Sequence, residues 1–569
     1  MAGSSVFHSV RILNGRNAMP INERVNVAAT LFMDTVRISP YLSRTVVTVS
    51  SSSGHRPSKR TKSVTLETLN PCIKEMQYAV RGPLANRASE IEKELEKGVK
   101  KPFTEVIKAN IGDCHAMGQV PITFIRQVLA LVSYPMLLDD PMFPNDVKHQ
   151  AKEILASCPG GSVGSYSETA GNEVIRRHVA EFIEKRDGAP SSWEDIVLTS
   201  GATVGIKVVL KLLIGEINGK KPGVMIPIPQ YPIYSATLSE FNMVQIPYYL
   251  DEERCWGLDV TELQHAIGEA KKVCNPRAIV IINPGNPTGQ VLSQNNIEEI
   301  IKFAHQERLF IFADEEFGDI HYQSVIFALN EKPVNNAYQF SERKFSRVYQ
   351  DNVYAEETKF YSFKKVMMEM GPPYSEMEMA SFMSASKGYM GECGLRGGYC
   401  EVINLDPDVK EMCLKGFSVL SGATLPGQVA IDCIVKPPQP GAPSYKQYAV
   451  EKEAILNSLS VRAKIVVETF NSLKGMSCNK VQGAMYAFPQ LHLPPNAIKT
   501  AKQNNLPPDT FYTLGLLEAT GISVVPGSGF GQKPGTYHFR TTILPQQDKL
   551  KSIMKKFKAY HEEFMQKYE

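Results

Sequence analysis

The sequence lacks the cysteine pairs that mark zinc sites. Its ten cysteines include no C-x-x-C pair, and the closest two, Cys393 and Cys400, have six residues between them. That spacing does not fit a structural zinc site. Disulfide scaffolds are typical of small domains, so a chain of 569 residues also argues against one. We therefore predict reduced, mostly buried thiols and no bound metal.

Long apolar runs and a strong excess of one charge are missing too. No stretch reaches the ~18 uninterrupted apolar residues of a membrane-spanning helix, and the N-terminus has no adequate secretory hydrophobic region. The formal net charge is only +3, which argues against a globally basic nucleic-acid binder. Apolar residues at 43% and charged residues at 21% are typical of a folded globular protein. We expect no membrane and no nucleic acid as partners.

The small net charge hides an uneven distribution along the chain. Residues 1–60 contain eight Lys or Arg, two acids and ten Ser, whereas residues 61–569 carry a net charge of −3. A basic, Ser-rich and acid-poor start is typical of a mitochondrial transit peptide, and the alternative is a disordered cytosolic tail. We expect residues 1–62 to be this leader or tail. The expected location is the mitochondrial matrix, with the cytoplasm as the alternative.

Short apolar runs alternate with helical patterns from about residue 165 to 410. Runs that are apolar throughout, such as 278–282 and 309–313, favour strands buried on both faces. Strands separated by helices indicate a mostly parallel sheet, so the predicted fold class is α/β. We predict an N-terminal arm with part of a small domain at 63–150, a large domain at 151–420 and a small domain at 421–569.

Residues suited to binding an anion follow the first predicted strand of the large domain. In open α/β sheets, ligands bind beyond the carboxyl ends of the strands. After the strand at 196–198 the chain continues with Ser200, Gly201 and Ala202, and then a helix. Small residues at a helix N-terminus leave backbone N–H groups available to an anion such as phosphate.

The next predicted strand ends carry an aromatic ring, an amide and a carboxylate. Tyr231 follows the strand at 224–227, and Asn286 lies in the rigid N-P-G-N-P-T-G turn after 278–282. Asp314 comes directly after the apolar run at 309–313. A carboxylate at the end of a buried strand needs a cationic or hydrogen-bonding partner.

A single lysine, Lys387, stands in a segment rich in serine and glycine that also contains Ser384, Ser386 and Arg396. A lysine amine can form a Schiff base, and serine hydroxyls together with an arginine can hold a phosphate. A Schiff-base lysine with an acidic partner for a pyridine nitrogen is the pattern of pyridoxal 5'-phosphate (PLP) sites. The sequence therefore predicts PLP as the cofactor.

These motifs give the chain a family resemblance. It resembles the PLP-dependent class I/II aminotransferases of fold type I, and among them the enzymes that act on alanine. The resemblance runs from about residue 66 to the C-terminus and is closest at 78–83, 101–113, 223–235, 281–291, 386–396 and 526–545. It implies a large domain with a mostly parallel sheet flanked by helices, plus a smaller α+β domain.

The resemblance implies a role for each matching residue around the cofactor. Lys387 would be the catalytic residue that forms the Schiff base, and Asp314 would pair with the protonated pyridine nitrogen. Asn286 would hydrogen-bond the ring hydroxyl, and Tyr231 would stack on the ring face. The phosphate would be held by Ser200, Gly201, Ala202, Ser384, Ser386 and Arg396.

The resemblance also implies how the substrate and a second subunit are bound. Gly112, Asn286 and Arg540 would contact the substrate, with the Arg540 guanidinium gripping the α-carboxylate. Tyr166 resembles the tyrosine that reaches the phosphate in the partner subunit, which implies a homodimer. The implied reaction is amino transfer from L-alanine to 2-oxoglutarate, giving pyruvate and L-glutamate. Its substrates are thus small amino acids and 2-oxo acids.

One segment departs from the family pattern. The motif D-E-V-Y-Q-D-N-V-Y is split by 32 residues, 316–347. The family tyrosine three places after the aspartate bonds the ring oxygen of the cofactor. Read without a gap, this place holds Phe317, and with the insertion looped out it holds Tyr349. The insertion leaves one alternative open, an inactive PLP-binding homologue disabled by it. A second alternative, independent of the insertion, is a related PLP lyase.

Overall fold

A computed structural model of the protein describes residues 62–78, 82–315, 353, 355 and 358–569. The chain divides into two compact units, Met1–Thr68 and Leu69–Glu569. The described part of the first unit, residues 62–68, consists of turns and bends. The predicted insertion at 316–347 and all but the last residue of the predicted leader lie outside the described residues. The predicted domain boundaries stay a prediction.

Helices dominate the beginning of the second unit, which contains α1 (Pro71–Glu75), α2 (Pro83–Glu96), β1 (Ile107–Lys108), α3 (Thr123–Ser133), α4 (Asn145–Ser157) and α5 (Glu173–Asp187). Helix α5 shows how the local sequence sets the limits of a helix. The Asn172 side chain accepts a hydrogen bond from Val174 N at its start, and Gly188 ends it in the left-handed region with φ 69°. Helices α3, α4 and α5 contribute their apolar faces to one core cluster.

Seven strands form the central sheet: β2 (Ile196–Thr199), β3 (Pro222–Ile228), β4 (Val244–Tyr249), β5 (Asn275–Ile282), β6 (Phe310–Asp314), β7 (Met379–Ser384) and β8 (Gly398–Ile403). Their order across the sheet is β2-β8-β7-β6-β5-β3-β4. Strand β8 runs antiparallel to both of its neighbours, and the other neighbouring pairs are parallel. The prediction of a mostly parallel sheet is confirmed.

Helices cover both faces of this sheet: α6 (Ala202–Lys211), α7 (Ile233–Glu240), α8 (Val260–Val273), α9 (Gln294–Glu307), α10 (Phe363–Met370), α11 (Pro407–Ser418) and α12 (Leu425–Val435). Strand β5 shows why its run is apolar throughout. Val280 packs in one core cluster with residues of α6 and α7, whereas Ile279 and Ile281 pack in another with residues of α8, α9 and α10. Burying each aliphatic side chain stabilises the fold by about 1.5–3 kcal/mol.

The C-terminal part mixes helices with short strands: α13 (Tyr445–Asn471), β9 (Met476–Ser477), β10 (Tyr486–Ala487), β11 (Gln490–Leu491), α14 (Pro495–Gln503), α15 (Pro508–Thr520), β12 (Ile522–Ser523), β13 (Val525–Pro526), β14 (Phe539–Thr542) and α16 (Gln547–Tyr568). Strand β14 pairs antiparallel with β10 and β13, and β9 pairs with β11. Strand β1 pairs in parallel with β12 and so joins this part. This arrangement is the predicted smaller α+β part.

All ten cysteines lie in the described part of the chain, and they are free thiols. Seven of them are buried. Burial raises the pKa of the Cys114 thiol to about 12 and that of Cys413 to about 11, so both are protonated at neutral pH. Within the described ranges, no three His, Cys, Asp or Glu side chains form a group that could hold a metal ion. None of the helices in these ranges is long and apolar enough to cross a bilayer.

Candidate active site

Lys387 lies three residues beyond the end of β7, at the edge of the sheet where the parallel strands end. Its Nζ donates a hydrogen bond to Gly112 O at 3.1 Å. A Cβ on Gly112 would lie 2.9 Å from Lys387 Nζ and 2.3 Å from the Tyr486 hydroxyl. These distances leave no space for a side chain at position 112. The backbone at Gly112 therefore lies in direct contact with Lys387. This contact agrees with the prediction that Gly112 lines the site.

Asp314 is the last residue of β6 and is buried. Its register places it opposite Ile282 of β5 and Phe382 of β7, the two strands that lead to Asn286 and Lys387. The hydroxyl of Tyr234 donates a hydrogen bond to Asp314 Oδ2 at 2.8 Å. This bond holds the carboxylate at the strand end and supplies a partner that a buried acid needs.

A ring of small and basic residues surrounds the start of α6. Gly201 precedes the helix with φ +86° and provides no side-chain cap for the first N–H groups of α6. Arg396 donates from Nη2 to Ser200 O at 3.2 Å and from Nη1 to Ser386 Oγ at 3.5 Å. Ser384 Oγ donates to Ser386 Oγ at 2.9 Å. Backbone donors, hydroxyls and a guanidinium thus converge on one spot, the combination that binds phosphate.

Arg540 is a buried guanidinium, 1% exposed, on strand β14. It donates from Nη1 to Asn286 Oδ1 at 3.0 Å and from Nη2 to Asn110 O at 2.6 Å. Its carbon Cζ lies 4.2 Å from the ring centre of Tyr486 and 4.7 Å from that of Phe530. No carboxylate among the described residues forms an ion pair with it, and its Nε has no hydrogen-bond partner there.

Burial is the main electrostatic influence on Arg540. It lowers the pKa of the guanidinium, and the nearby Tyr486, Tyr231 and Tyr78 oppose that shift. Arginine nevertheless stays protonated in proteins at physiological pH. A buried cation without an acidic partner is costly, because desolvation is not offset by a counter-charge. The arrangement therefore suits an anion supplied by a ligand.

Tyr231 lies at the rim of this site. Its hydroxyl shares a hydrogen bond of 2.9 Å with the Tyr78 hydroxyl, and the two rings meet edge to face with centres 6.4 Å apart. The ring contact fixes the orientation of Tyr231. The structure thus brings together most of the predicted site: Gly112, Ser200, Gly201, Ala202, Tyr231, Asn286, Asp314, Ser384, Ser386, Lys387, Arg396 and Arg540.

One residue named from the sequence, Tyr166, is not part of this group. Tyr166 lies on the surface between α4 and α5, and its side chain is 83% exposed. Tyr349 and Phe317, the two candidates for the tyrosine of the split motif, lie outside the described residues.

The structure adds three residues to the predicted site. Tyr234 holds Asp314, and the rings of Tyr486 and Phe530 both contact the Arg540 guanidinium. Tyr234 lies in the first turn of α7 and reaches Asp314 across 80 residues of sequence. The contacts of Tyr486 and Phe530 join distant parts of the chain, and we see no local signal for them.

Known proteins are similar in sequence to this chain over most of its length. The family model described as "Aminotransferase class I and II" matches residues 127–557. Alanine aminotransferase 2 of Xenopus laevis is 54% identical over 507 residues, which cover 89% of this chain and 88% of the relative. Alanine aminotransferase 1 of Homo sapiens is 52% identical over 511 residues, which cover 90% and 97%.

Solved structures confirm the predicted fold. An alanine aminotransferase from Pyrococcus furiosus superposes with a TM-score of 0.63 and covers 87% of this chain and 98% of its own. At 20% sequence identity, this likeness shows the fold alone, which is fold type I. The family match over more than half of the chain shows more. The chain belongs to the class I and II aminotransferases, a family of PLP-dependent enzymes.

Proposed function

We propose that this chain catalyses amino transfer from L-alanine to 2-oxoglutarate, giving pyruvate and L-glutamate. Relatives at 52–54% identity that bear the name alanine aminotransferase support the choice of alanine. The structural observation that carries the proposal is the turn at residues 110–112. It accepts a hydrogen bond from Arg540 at Asn110 O and one from Lys387 at Gly112 O.

That turn brings the Arg540 guanidinium and the Lys387 amine near each other. The two acceptors, Asn110 O and Gly112 O, are two residues apart on one short stretch of backbone. An arginine that can bind a carboxylate and a lysine that can work on the neighbouring amine-bearing carbon are therefore close together. An α-amino acid carries its carboxylate and its amino group on the same carbon, so both of its groups can be engaged at once.

The residues around Lys387 fit PLP. The uncapped start of α6, the close approach of Gly201 to Arg396 and the paired Ser384 and Ser386 would hold its phosphate. Asp314 would face the ring nitrogen, Tyr231 the ring face and Asn286 the ring hydroxyl. When bound, PLP supplies an aldehyde that forms Schiff bases with amines and a ring that accepts electrons.

Three side chains of this protein would carry the reaction. Arg540 binds the α-carboxylate with its planar fork, which fixes the orientation of the substrate Cα. Lys387 Nζ takes the proton from the substrate Cα as a general base and then returns a proton as the acid. Asp314 would pair with the ring nitrogen, and the hydrogen bond from Tyr234 holds its carboxyl group at the strand end.

The phosphate-binding part of the proposal predicts the effect of Gly201→Ala. The new methyl carbon would lie 2.4 Å from Arg396 Nη2, in a backbone conformation with φ +86° that L residues rarely adopt. Arg396 must move, so we expect the Kd for PLP to rise about 10- to 100-fold, as for the loss of a charge-assisted hydrogen bond. Equilibrium dialysis measures this. Gly215→Ala is the matched control, since a Cβ there meets no atom within 4 Å. Equal affinity of both variants for PLP would count against the proposed phosphate site.

Two further features of the enzyme belong to this proposal. We propose a homodimer, because the exposed Tyr166 has its family role only across a subunit interface, and light scattering that gives a monomeric mass would refute this.

We also propose a mitochondrial location, supported by the basic, Ser-rich composition of residues 1–60. Fractionation of cells that express the full chain tests it, and an exclusively cytosolic protein would contradict it.

The proposed activity is tested with the purified, PLP-loaded full chain. We expect pyruvate to form continuously only when both L-alanine and 2-oxoglutarate are present, since the amino group needs an acceptor. Product formed continuously without a 2-oxo acid would indicate a lyase. Bound PLP without turnover would indicate an inactive homologue. Either of these two results would refute the proposed function.

A further inference from the structure

A second carboxylate, Glu315, lies directly after Asp314 and is also buried, 2% exposed. Its Oε1 accepts a hydrogen bond from Phe363 N at 2.8 Å, and its backbone N donates to Phe382 O at 3.1 Å. Phe363 begins helix α10, and Phe382 belongs to β7, the strand that leads to Lys387. Glu315 therefore ties the end of β6 to a helix start and to the neighbouring strand.

The charged groups around Glu315 are already paired with each other. Arg186 donates to both carboxylate oxygens of Asp187, at 2.8 Å each, and Lys364 forms an ion pair with Glu401. All four side chains are buried. Two cations therefore meet two anions, and a charge on Glu315 would have no counter-charge of its own in this cluster.

The environment favours the protonated form of Glu315. Its Oε2 is buried and has no hydrogen-bond partner among the described residues. Burial raises the pKa of Glu315 to about 8, and Asp187 and Glu401 add to the shift as like charges. Arg186 and the Phe363 N–H act in the opposite direction and do not cancel the effect of burial. At neutral pH, Glu315 is mostly neutral.

We propose that Glu315 is a positioning residue that carries a proton at neutral pH and holds Asp314 in place without adding a second negative charge beside the cofactor. The inference rests on the proposed role of Asp314 as the partner of the ring nitrogen. It deepens that role, because the two adjacent carboxyl groups would have different functions. Asp314 supplies the charge, and neutral Glu315 supplies the attachment of the strand end.

Raising the pH should weaken the hold on the strand end. Above about pH 8, Glu315 ionises and becomes a buried charge without a counter-charge of its own. The ionised carboxylate is a stronger acceptor for the Phe363 N–H, but this gain does not offset the cost of the buried charge. The strand end then loosens around Asp314, and the cofactor is held less firmly. The direction of this pH dependence follows from the pKa of Glu315, which is raised in the folded state. Its stabilising contribution is complete at low pH and is lost as the pH rises through the folded-state pKa.

Infrared spectroscopy of the PLP-loaded enzyme tests the protonation directly. We expect the C=O stretching band of a protonated carboxylic acid that disappears with a midpoint near pH 8 and is missing in Glu315→Gln. Glu392→Gln is the control: Glu392 is also buried, but it pairs with Arg126 at 2.8 Å, and this variant should keep the band. A wild-type enzyme without such a band at neutral pH would overturn the proposal, even if Glu315→Gln failed to fold.

Cofactor retention, measured by dialysis without any amino acid, tests the positioning role. Glu315→Gln imitates the neutral form, so its Kd for PLP should match that of the wild type within about twofold at neutral pH. Above pH 8 the wild-type Kd should rise while that of the variant stays constant. Glu315→Ala leaves the Phe363 N–H without its acceptor and should raise the Kd about tenfold at every pH.

Parallel pH profiles of wild type and Glu315→Gln, or equal affinities of the Gln and Ala variants, would overturn the positioning role. No substrate is present in these experiments. A failure of the proposed alanine transamination would therefore leave their outcome unchanged, and the two proposals fail separately.

Discussion

Replacing Lys387 by alanine abolishes turnover, with kcat reduced by at least about 10⁴-fold. The lysine supplies both the amine that can form a Schiff base and the general base that takes the proton from the substrate Cα. Its Nζ is held over the site by Gly112 O, and alanine has no atom that could take either role. The loss should therefore appear in kcat rather than in KM.

A steady-state assay with L-alanine and 2-oxoglutarate measures this effect, and PLP absorbance of the same sample shows whether the cofactor is still bound. The residues proposed to hold the phosphate do not include Lys387, so we expect the variant to retain PLP. Lys549→Ala is the matched control, since Lys549 forms an exposed ion pair with Glu105. Wild-type turnover in Lys387→Ala would refute the assignment of the catalytic lysine.

Replacing Arg540 by lysine lowers kcat/KM for L-alanine about 10²- to 10³-fold. The substitution keeps the positive charge but loses the planar fork that binds a carboxylate through two parallel hydrogen bonds. It also removes the flat group that contacts the Tyr486 and Phe530 rings. The substrate α-carboxylate then enters a buried site that cannot satisfy both of its oxygens.

The comparison requires kcat and KM for L-alanine in both variants at a saturating 2-oxo acid concentration. Arg254→Lys is the control, because Arg254 is 75% exposed and lies in a loop. The melting temperature of Arg540→Lys should be measured too, so that a folding defect is distinguished from a binding defect. A kcat/KM within about threefold of the wild-type value would show that Arg540 does not bind the carboxylate.

The sheet could be predicted where its strands are apolar throughout. Strands β5 and β6 lie at the predicted runs, within one residue at the end of each. The part of each strand that is buried on both faces favours apolar residues, and in β5 and β6 the polar residues that follow mark the end of that part. This is why Asn286 and Asp314 could be placed from sequence at the edge where the site forms.

Strand β7 shows where this reasoning fails. Its sequence M-A-S-F-M-S contains two serines, and it has no continuous apolar run, although all six residues are buried. Small polar residues are tolerated there because their hydroxyls find partners, as Ser384 does with Ser386.

The partners of the predicted site residues could not be read from local sequence. Arg540 donates to Asn110 O, which lies 430 residues earlier in the chain. Tyr234 holds Asp314 across 80 residues. Such contacts depend on how the strands assemble, and no periodicity or turn motif encodes them. The family resemblance supplied the roles of Arg540 and Gly112, and the structure supplied the contacts that explain these roles.

The most direct test of the account is a half-reaction. The purified PLP-loaded enzyme is mixed with excess L-alanine in the absence of any 2-oxo acid, and pyruvate is quantified. We expect about one equivalent of pyruvate per chain and then no more, because the amino group stays on the enzyme until an acceptor arrives. Addition of 2-oxoglutarate should restart the reaction. No pyruvate, or pyruvate formed continuously without an acceptor, would contradict the account.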